Sequence, residues 1–397
     1  LFLGTDDGLY MSLNAGNSWQ KWTAGFPTVS TKDLAIHPRE QDLIIGTFGR
    51  AAWVLDDLRP LRALAGNQSL LASDFELFTP PTAYLAAYQQ PTGSRFGADA
   101  MYQGENRKSG ALITYYVKEG LTKGAADNKE ANSDSEENTE QSSKASKDSL
   151  FLKVFKGEEL IRTLGFKKPK KAGFHKMSWY MDEKGADRPS RSISKSKRER
   201  GGKSVLPGNY TLVLTDGVTE RKQAIEVAAD PRLGESLSAM KEVYDTELVL
   251  ETLMQKAADA VKQLVESKNT TNALSKDLAT LDKKVHKEAI KEAKDIIKEI
   301  DTLIALYLGT IDKRQGITRN PEITVMQRIG AASSYVGSRK TGVTETETRL
   351  IGFAKNQLAA ALEKQNNFYE NKWPSFEAKM KSIDRNPFKE TQVFELD

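Results

Sequence analysis

GTDDGLYMSLNAGNSWQKW, residues 4–22, carries the strongest structural signal in this chain. Its centre has the pattern S-x-N-x-G-x-S-W, formed by Ser12, Asn14, Gly16, Ser18 and Trp19. A short polar side chain at position 14 can hydrogen-bond the backbone of a turn, and Gly16 can adopt a positive φ without steric strain. We therefore predict a β-hairpin turn, followed by a tryptophan that buries a large face against a neighbouring sheet.

The same sequence unit recurs further along the chain. GTDDGLY at residue 4 returns as GTFGRAAW at residue 46, a spacing typical of β-propeller blades, which repeat every ~40–45 residues. Alternating apolar and polar residues separated by Gly, Asn and Asp predict short strands at 1–5, 8–12, 18–22, 33–37, 42–47 and 51–55. Propellers have roughly 4–8 blades. Residues 1–62 therefore correspond to one to two blades, and we expect the remaining blades upstream or in another chain.

Two sequence features resemble known β-propeller families. Residues 12–19 resemble the Asp-box (BNR) hairpin of sialidase-like and sortilin-like propellers, with Asn14 in the place of the aspartate. The stretches IHP, DLIIGTFGR and WVLDDLRPL are similar to the final blade of bacterial BNR-repeat "glycosyl hydrolase" proteins related to the sortilin ectodomain. Residues 75–120 and 151–233 also resemble the sandwich domain of those proteins, and the helical tail resembles their C-terminal helices. The resemblance implies an architecture, because the Asp-box in these families is structural and not catalytic.

The middle of the chain is predicted to be a connector followed by a β-sandwich. Residues 63–110 form the connector, in which 75–78 is interpreted as a strand that would close the last blade. Residues 111–233 contain short strands at regular intervals, with a hairpin over Asp216-Gly217. This pattern is typical of a fibronectin-III-like module.

Two polar insertions interrupt the predicted sandwich, at 121–149 and 190–203. Both are poor in apolar residues, so we predict that they are disordered. The second, SRSISKSKRERGGK, is basic and is interpreted mainly as a solvated loop. The alternative is a patch that binds acidic glycan or phosphate. Neither this run, which has no interleaved aromatic residue, nor a net charge of +4 indicates nucleic-acid binding.

The last part of the chain, 234–397, has the apolar period of helices. We predict three or four amphipathic helices in an antiparallel bundle that folds on its own. One helix begins near 236, a second ends near Gly309 and a third spans 322–338. A fourth covers 344–383, where Pro374 should kink or restart it. The predicted fold class is therefore multidomain β plus α.

Composition excludes several kinds of chemistry and suggests a compartment. The chain has no cysteine, so disulfides, thiolate nucleophiles and cysteine-ligated zinc are excluded. No apolar run approaches ~18 residues, so no membrane span is predicted. The sequence opens in a strand pattern without methionine. We interpret it as the C-terminal part of a longer bacterial polypeptide that is secreted, periplasmic or associated with the outer membrane.

Catalytic candidates are few. The three histidines fall in three different predicted modules, so no metal site is indicated, and no cofactor is implied. Glycoside hydrolysis needs two carboxyl groups, and the doublets Asp6-Asp7 and Asp56-Asp57 are the candidates. Neighbours on a strand point to opposite faces, so each doublet is a poor acid/base pair. Asp7, Asp56 or Asp57 remains a candidate to face the central channel.

Two functions are consistent with these observations. The first is a non-catalytic scaffold that binds a protein or glycan ligand through the propeller. The second is a glycoside hydrolase, similar to sialidases or xyloglucanases, whose catalytic carboxylates lie upstream of this segment. The first is favoured because the segment has an Asp-box, a sandwich and a bundle but no convergent set of polar catalytic residues.

Overall fold

The chain divides into two units, one built mainly of strands and one of helices. The computed structural model describes residues 1–86, 107–118, 149–194, 196, 198–234, 236–282, 284–311, 322–339 and 341–383. The first unit is Leu1–Lys184 with Lys197–Glu235, and the second is Gly185–Ser196 with Ser236–Asp397. The predicted combination of β sheets followed by a helical region is confirmed at this coarse level.

The first sixty residues form two antiparallel three-stranded sheets. The first sheet contains β1 (Phe2–Thr5), β2 (Gly8–Met11) and β3 (Gln20–Lys21). The second contains β4 (Thr31–Ile36), β5 (Leu43–Thr47) and β6 (Ala52–Leu55). All six predicted strands are therefore present, in the predicted order.

These two sheets share one hydrophobic core. Leu9 of β2 packs with Leu43 and Ile45 of β5, and the Phe26 ring meets the Trp53 ring edge-on at 5.4 Å. A Cβ on Gly4 would lie 2.7 Å from the Thr31 methyl group. Strands β1 and β4 therefore approach closely where position 4 has no side chain.

The predicted connector contributes strands to the following sheets. After helix α1 (Arg59–Gly66) and a 3-10 turn, β7 (Phe75–Leu77) pairs with β9 (Ala111–Val117). The short β8 (Ala83–Tyr84) runs parallel to β16 (Glu220–Ala228). The interpretation of 75–78 as a strand that closes the last blade is therefore wrong, because its buried face joins the second core. Residues 87–106 of the connector lie outside the described residues.

Two further sheets enclose a second core. The strands not yet located are β10 (Ser149–Lys156), β11 (Glu159–Lys167), β12 (Gly173–Trp179), β13 (Asp182–Lys184), β14 (Gly201–Ser204) and β15 (Gly208–Thr215). One sheet has the order β11-β10-β15-β16-β8 and the other β12-β9-β7. Leu152, Leu212 and Ile113 from the two sheets pack together with the fully buried Trp179. Both sheets contribute to one core and include β7 and β8 from the predicted connector, while the fibronectin-III-like sandwich over 111–233 stays a prediction.

The second predicted insertion is ordered at its end. Residues 201–204 form β14, which pairs with β13, and Lys203 makes a 2.6 Å ion pair with Glu183. Nearby, Arg162 contacts Asp182 at 3.2 Å, and burial raises the pKa of the Asp182 carboxyl. These ion pairs hold a polar, glycine-rich segment that has little apolar surface to bury. The first insertion, 121–149, lies outside the described residues except for Ser149, which begins β10.

The helical unit contains five α-helices among its described residues. They are α2 (Leu237–Asp282), α3 (Lys287–Leu308), α4 (Val325–Gly337), α5 (Glu345–Asn367) and α6 (Trp373–Ser382). Helix α2 continues to Asp282, past Leu274, where the sequence had indicated that a second helix was already under way, and no Gly or Pro interrupts 265–282. Lys372 and Lys379 pair with Glu299 and Glu292, so the last helix runs antiparallel to α3.

Pro374 marks a restart of the last helix, as the sequence predicts. Residues 368–372 form one π-helical turn between α5 and α6, and Pro374 lies in the first turn of α6. Proline is tolerated there because its missing N–H would have no helical partner.

The segment Gly185–Ser196 belongs to the helical unit. It connects β13 to β14 in sequence, yet the Asp187 amide donates to the Gln255 side chain on α2 at 2.9 Å. The Arg191 guanidinium donates to the carbonyl of Gly309, directly after α3. A cation at this position also interacts favourably with the helix dipole. The helical unit is therefore discontinuous in sequence.

Glu347 is a fully buried carboxylate at the start of α5. It accepts a hydrogen bond from the Thr344 amide at 2.9 Å and pairs with Arg339 at 2.9 Å. Hydrogen bonds from the Thr344 hydroxyl and from Arg339 lower the pKa of Glu347 to about 2. A carboxylate with a depressed pKa stabilises the fold above its unfolded pKa of ~4.3, and this stabilisation is lost as the pH falls towards about 2.

Glu347→Gln is therefore expected to lower the melting temperature of the helices at neutral pH. It should also remove part of the difference in melting temperature between about pH 7 and about pH 3, because the variant has no carboxylate to titrate. Thermal melting followed by circular dichroism at both pH values measures this. Glu345→Gln, in the exposed first turn of the same helix, is the matched control. Equal pH dependence in the two variants would contradict the role assigned to Glu347.

Candidate functional site

The predicted Asp-box turn connects β2 to β3 and is closed by side-chain hydrogen bonds. The buried Ser12 hydroxyl accepts from the Gly16 amide at 2.8 Å and donates to Asn14 Oδ1 at 3.0 Å. Asn14 Oδ1 also accepts from the Ser18 amide at 2.9 Å, and its amide group donates to the Ser18 hydroxyl at 2.8 Å. Asparagine is compatible with this position of the turn, because its single side-chain oxygen accepts both hydrogen bonds and its amide group donates a third.

The left-handed residues of this turn are Ala15 and Gly16, with φ of 58° and 94°. Asn14 therefore acts through its side chain, not through a left-handed backbone. The predicted burial of Trp19 is wrong: its side chain is 42% exposed. Trp22 and Trp53 pack against the first core instead. Trp19 lies before the two-residue strand β3, where no described sheet covers it.

Ser12→Ala is expected to destabilise the turn by about 1 kcal/mol, because the half-buried Gly16 amide loses the Ser12 hydroxyl as its acceptor. Hydrogen–deuterium exchange of the amides at 16–18 measures this effect directly. Asn17→Ala is the matched control, since the Asn17 side chain is exposed. Equal exchange rates in the two variants would show that the serine hydroxyl does not close the turn.

The first carboxylate doublet lies on the surface and is held by lysines. Asp6 accepts from Lys32 at 2.7 Å and from Ser30 at 2.8 Å. Asp7 pairs with Lys21 at 2.8 Å and accepts from the Tyr10 hydroxyl at 3.0 Å. Hydrogen bonds from the two lysines lower the pKa of both carboxyl groups. Both groups are therefore ionised at neutral pH, whereas a general acid needs a raised pKa.

The two aspartates of the second doublet differ in burial: Asp56 is half-buried and Asp57 is buried. Asp57 is 5% exposed, has a φ of 61°, and pairs through Oδ1 with Arg59 at 2.8 Å. Its amide donates to Asp42 at 2.9 Å. Asp56 faces Lys176 of β12, whose Nζ donates to the Asp56 carbonyl at 3.3 Å. Asp57 therefore organises the chain directly after β6, and no contact in the described part of the chain joins it to Asp7.

A charged cluster around Asp57 was not predicted from the sequence. Arg107 lies 3.6 Å from both Glu40 and Asp42, and Arg59 donates to the Glu40 carbonyl at 3.0 Å. No spacing in the sequence links Arg107 to residues 40–42, because the contact is long-range. Arginines already neutralise these carboxylates, so the cluster serves structure and leaves no acid/base pair.

The histidines do not converge on one site. His37 accepts a hydrogen bond from the Glu40 amide through Nδ1 at 3.1 Å, within a turn. His175 packs its ring 5.5 Å from that of Tyr115, and Nε2 bonds the Lys171 carbonyl. His286 precedes α3. Among the described residues, no three His, Asp or Glu side chains are grouped as metal ligands would be.

The second three-stranded sheet has one buried and one exposed apolar face. Leu34, Ile45 and Trp53 are in register across its three strands and pack into the first core. On the opposite face, a row in register consists of Ala35, Ile44 and Val54. Ile44 is 38% exposed and Val54 57% exposed. A sheet in which both faces are apolar is typical of one that is covered on both sides.

None of the helices in the described ranges combines the length and the apolar character needed to cross a membrane. Comparisons of the chain with protein-family models, with curated proteins and with solved structures found no match.

Proposed function

We propose that this chain is a non-catalytic structural and binding segment of a larger Asp-box β-propeller protein. In this proposal residues 1–62 are two incomplete sectors of the ring. The two-sheet region and the helices follow the ring, and the completed propeller binds a protein or glycan ligand. The protein is secreted, periplasmic or associated with the outer membrane, as the sequence resemblance implies.

One observation carries the proposal: the exposed row Ala35, Ile44 and Val54 lies across a sheet whose other face is already buried. In a propeller, each blade packs both of its faces against neighbours, so a sector without its neighbour leaves one apolar face uncovered. Exposed contiguous apolar surface indicates an interaction site more often than scattered apolar residues do. The hydrogen-bonded Asp-box turn supports the same architecture.

The carboxylates favour binding over hydrolysis. The pKa values of Asp6 and Asp7 are lowered, which disfavours either as a general acid, and Asp57 is bonded to Arg59. A glycoside hydrolase needs one carboxyl group with a raised pKa and a second one about 5–10 Å away. The alternative, a glycosidase whose catalytic carboxylates lie in other blades, draws no support from these residues.

Because the chain has no cysteine, a single introduced thiol can test whether a neighbouring blade covers the exposed row. Val54→Cys introduces a single thiol on the exposed row, and maleimide should label it quickly in this chain alone. In the complete protein, with its remaining sectors, the thiol should be protected. Val218→Cys, at a position 92% exposed, is the control that should label quickly in both forms. Rapid labelling of the Val54→Cys variant in the complete protein would contradict the proposal that a neighbouring blade covers this face.

Binding and hydrolysis are separated by a second experiment. The complete protein is incubated with chromogenic glycosides and polysaccharides, and both retention of the glycan and release of product are measured. We expect no turnover. Turnover that is lost in the Asp7→Asn or Asp56→Asn variant would contradict the non-catalytic proposal and support the glycosidase instead.

A further inference from the structure

The β11–β12 connection presents a concentrated group of lysines. Residues 167–171 read Lys-Lys-Pro-Lys-Lys, between the end of β11 and the start of β12. Lys167, Lys170 and Lys171 are exposed. Within the described part of the chain none of these three has an ion-pair partner, whereas Lys168 pairs with Asp216 at 3.4 Å. We call Lys167, Lys170 and Lys171 the lysine cluster.

The backbone that carries the lysine cluster is anchored at several points. Lys168 and Asp216 are each only 13% exposed, so this ion pair fixes the first side of the connection. The Lys171 carbonyl is bonded to His175 Nε2 at 2.8 Å, which fixes the second side. Pro169 between them locks one backbone angle. A charged surface on an anchored backbone loses less conformational entropy on binding than one on a free loop.

An exposed aromatic ring follows the lysine cluster. Phe174, three residues after Lys171, is 45% exposed, and its ring lies 5.6 Å from both Phe78 and Tyr116. The two neighbours hold the ring in place while one side stays accessible. Such a ring offers an apolar face to the C–H groups of a sugar, three residues along the chain from a lysine that can pair with acidic substituents.

We propose that the lysine cluster and Phe174 form a binding site for an acidic polysaccharide, a sugar chain with carboxylate or sulfate groups. A polyuronate has one charge per sugar, which suits a few lysines. Duplex DNA carries one charge per ~1.7 Å, and a chain with a net charge of only +4 and 54 acidic residues is poorly suited to it. The site lies outside residues 1–62, so it does not depend on the propeller.

This assignment moves the predicted acidic-glycan patch from 190–203 to 167–171. In the second insertion Lys203 is 9% exposed and paired with Glu183, and Glu199 lies 3.7 Å from Arg162. Some charged side chains of this insertion are therefore already paired within the protein. The segment 167–171 is shorter than 190–203 and contains no acidic residue, and Lys167, Lys170 and Lys171 are exposed. These lysines are therefore the better surface for an anion.

The test measures binding of a fluorescently labelled oligogalacturonate to the full chain by anisotropy. We expect saturable binding that weakens between ~20 and ~150 mM NaCl, since salt shortens the Debye length to ~8 Å. Replacing the cluster with K167Q/K170Q/K171Q should weaken binding about tenfold, the effect of three exposed ion pairs. F174S should weaken binding without changing the salt dependence.

The matched control is K291Q/K294Q/K298Q, which removes the same charge from an exposed face of α3. It should bind within about twofold of the parent, because these lysines are not part of the proposed site. Heparin should compete with oligogalacturonate, and neutral dextran should not. Absent binding, equal loss in both triple variants, effective competition by dextran, or equally tight binding of a DNA duplex would each overturn the proposal.

Discussion

Trp179→Ala is expected to destabilise the two-sheet core by about 3–5 kcal/mol, which is a large fraction of the stability of a typical domain. Trp179 is 0% exposed, and its ring meets the Tyr210 ring at 5.6 Å. Its indole N–H donates to the Asp182 carbonyl at 2.9 Å. The substitution therefore creates a large cavity and removes the indole donor from the Asp182 carbonyl.

Hydrogen–deuterium exchange of the amides in β9 and β15 measures this loss, because both strands line the same core. The matched control is Tyr180→Ala, one residue further along the chain, where the side chain is 69% exposed. The control should change stability by less than about 0.5 kcal/mol. Similar exchange in the two variants would mean that the indole does not organise the core.

Tyr307→Phe is expected to destabilise the helices by about 1–3 kcal/mol, although it removes only one oxygen atom. The Tyr307 hydroxyl donates to Gln365 Oε1 at 2.8 Å, and both residues are buried. The Gln365 amide group donates to the Ala260 carbonyl at 3.1 Å. The variant leaves the Gln365 oxygen without a donor in an apolar core, where such a group cannot reach water.

A double-mutant cycle tests whether these two residues act as a pair. Gln365→Met alone leaves the Tyr307 hydroxyl without its acceptor, so it should also be destabilising. The double variant Tyr307→Phe/Gln365→Met should lose less stability than the sum of the single variants, because apolar groups then replace both partners. Urea unfolding followed by far-ultraviolet circular dichroism measures all three, with the exposed Asn356→Ala as control. Strict additivity would contradict the pairing.

Local sequence signals predicted local structure well. The Asp-box pattern predicted the β2–β3 turn because its hydrogen bonds connect residues within four positions of one another. The hairpin over Asp216-Gly217 formed between β15 and β16 for the same reason, since Asp216 accepts from the amides of Val218 and Thr219. In each case the side chains that determine the turn lie inside it.

Features that depend on distant partners were not predictable. The strand β7 pairs with β9, and no local pattern in Phe75–Leu77 distinguishes that partner from a blade. The ordering of 201–204 depends on Glu183 and Arg162, which a composition-based prediction of disorder does not consider. The candidate carboxylates were identified from the sequence as residues, but only the structure places Lys21 beside Asp7 and the Asp42 carboxylate beside the Asp57 amide.

The assignment of Gly185–Ser196 to the helical unit also limits how this protein can be dissected. A gene fragment that starts at residue 234 encodes the helices but omits the arginine that contacts the Gly309 carbonyl. Transplanting the bundle into another protein, or exchanging it by recombination between relatives, would leave this piece behind. A gene that fuses the segment 185–196 to residues 236–397 would transfer the whole unit.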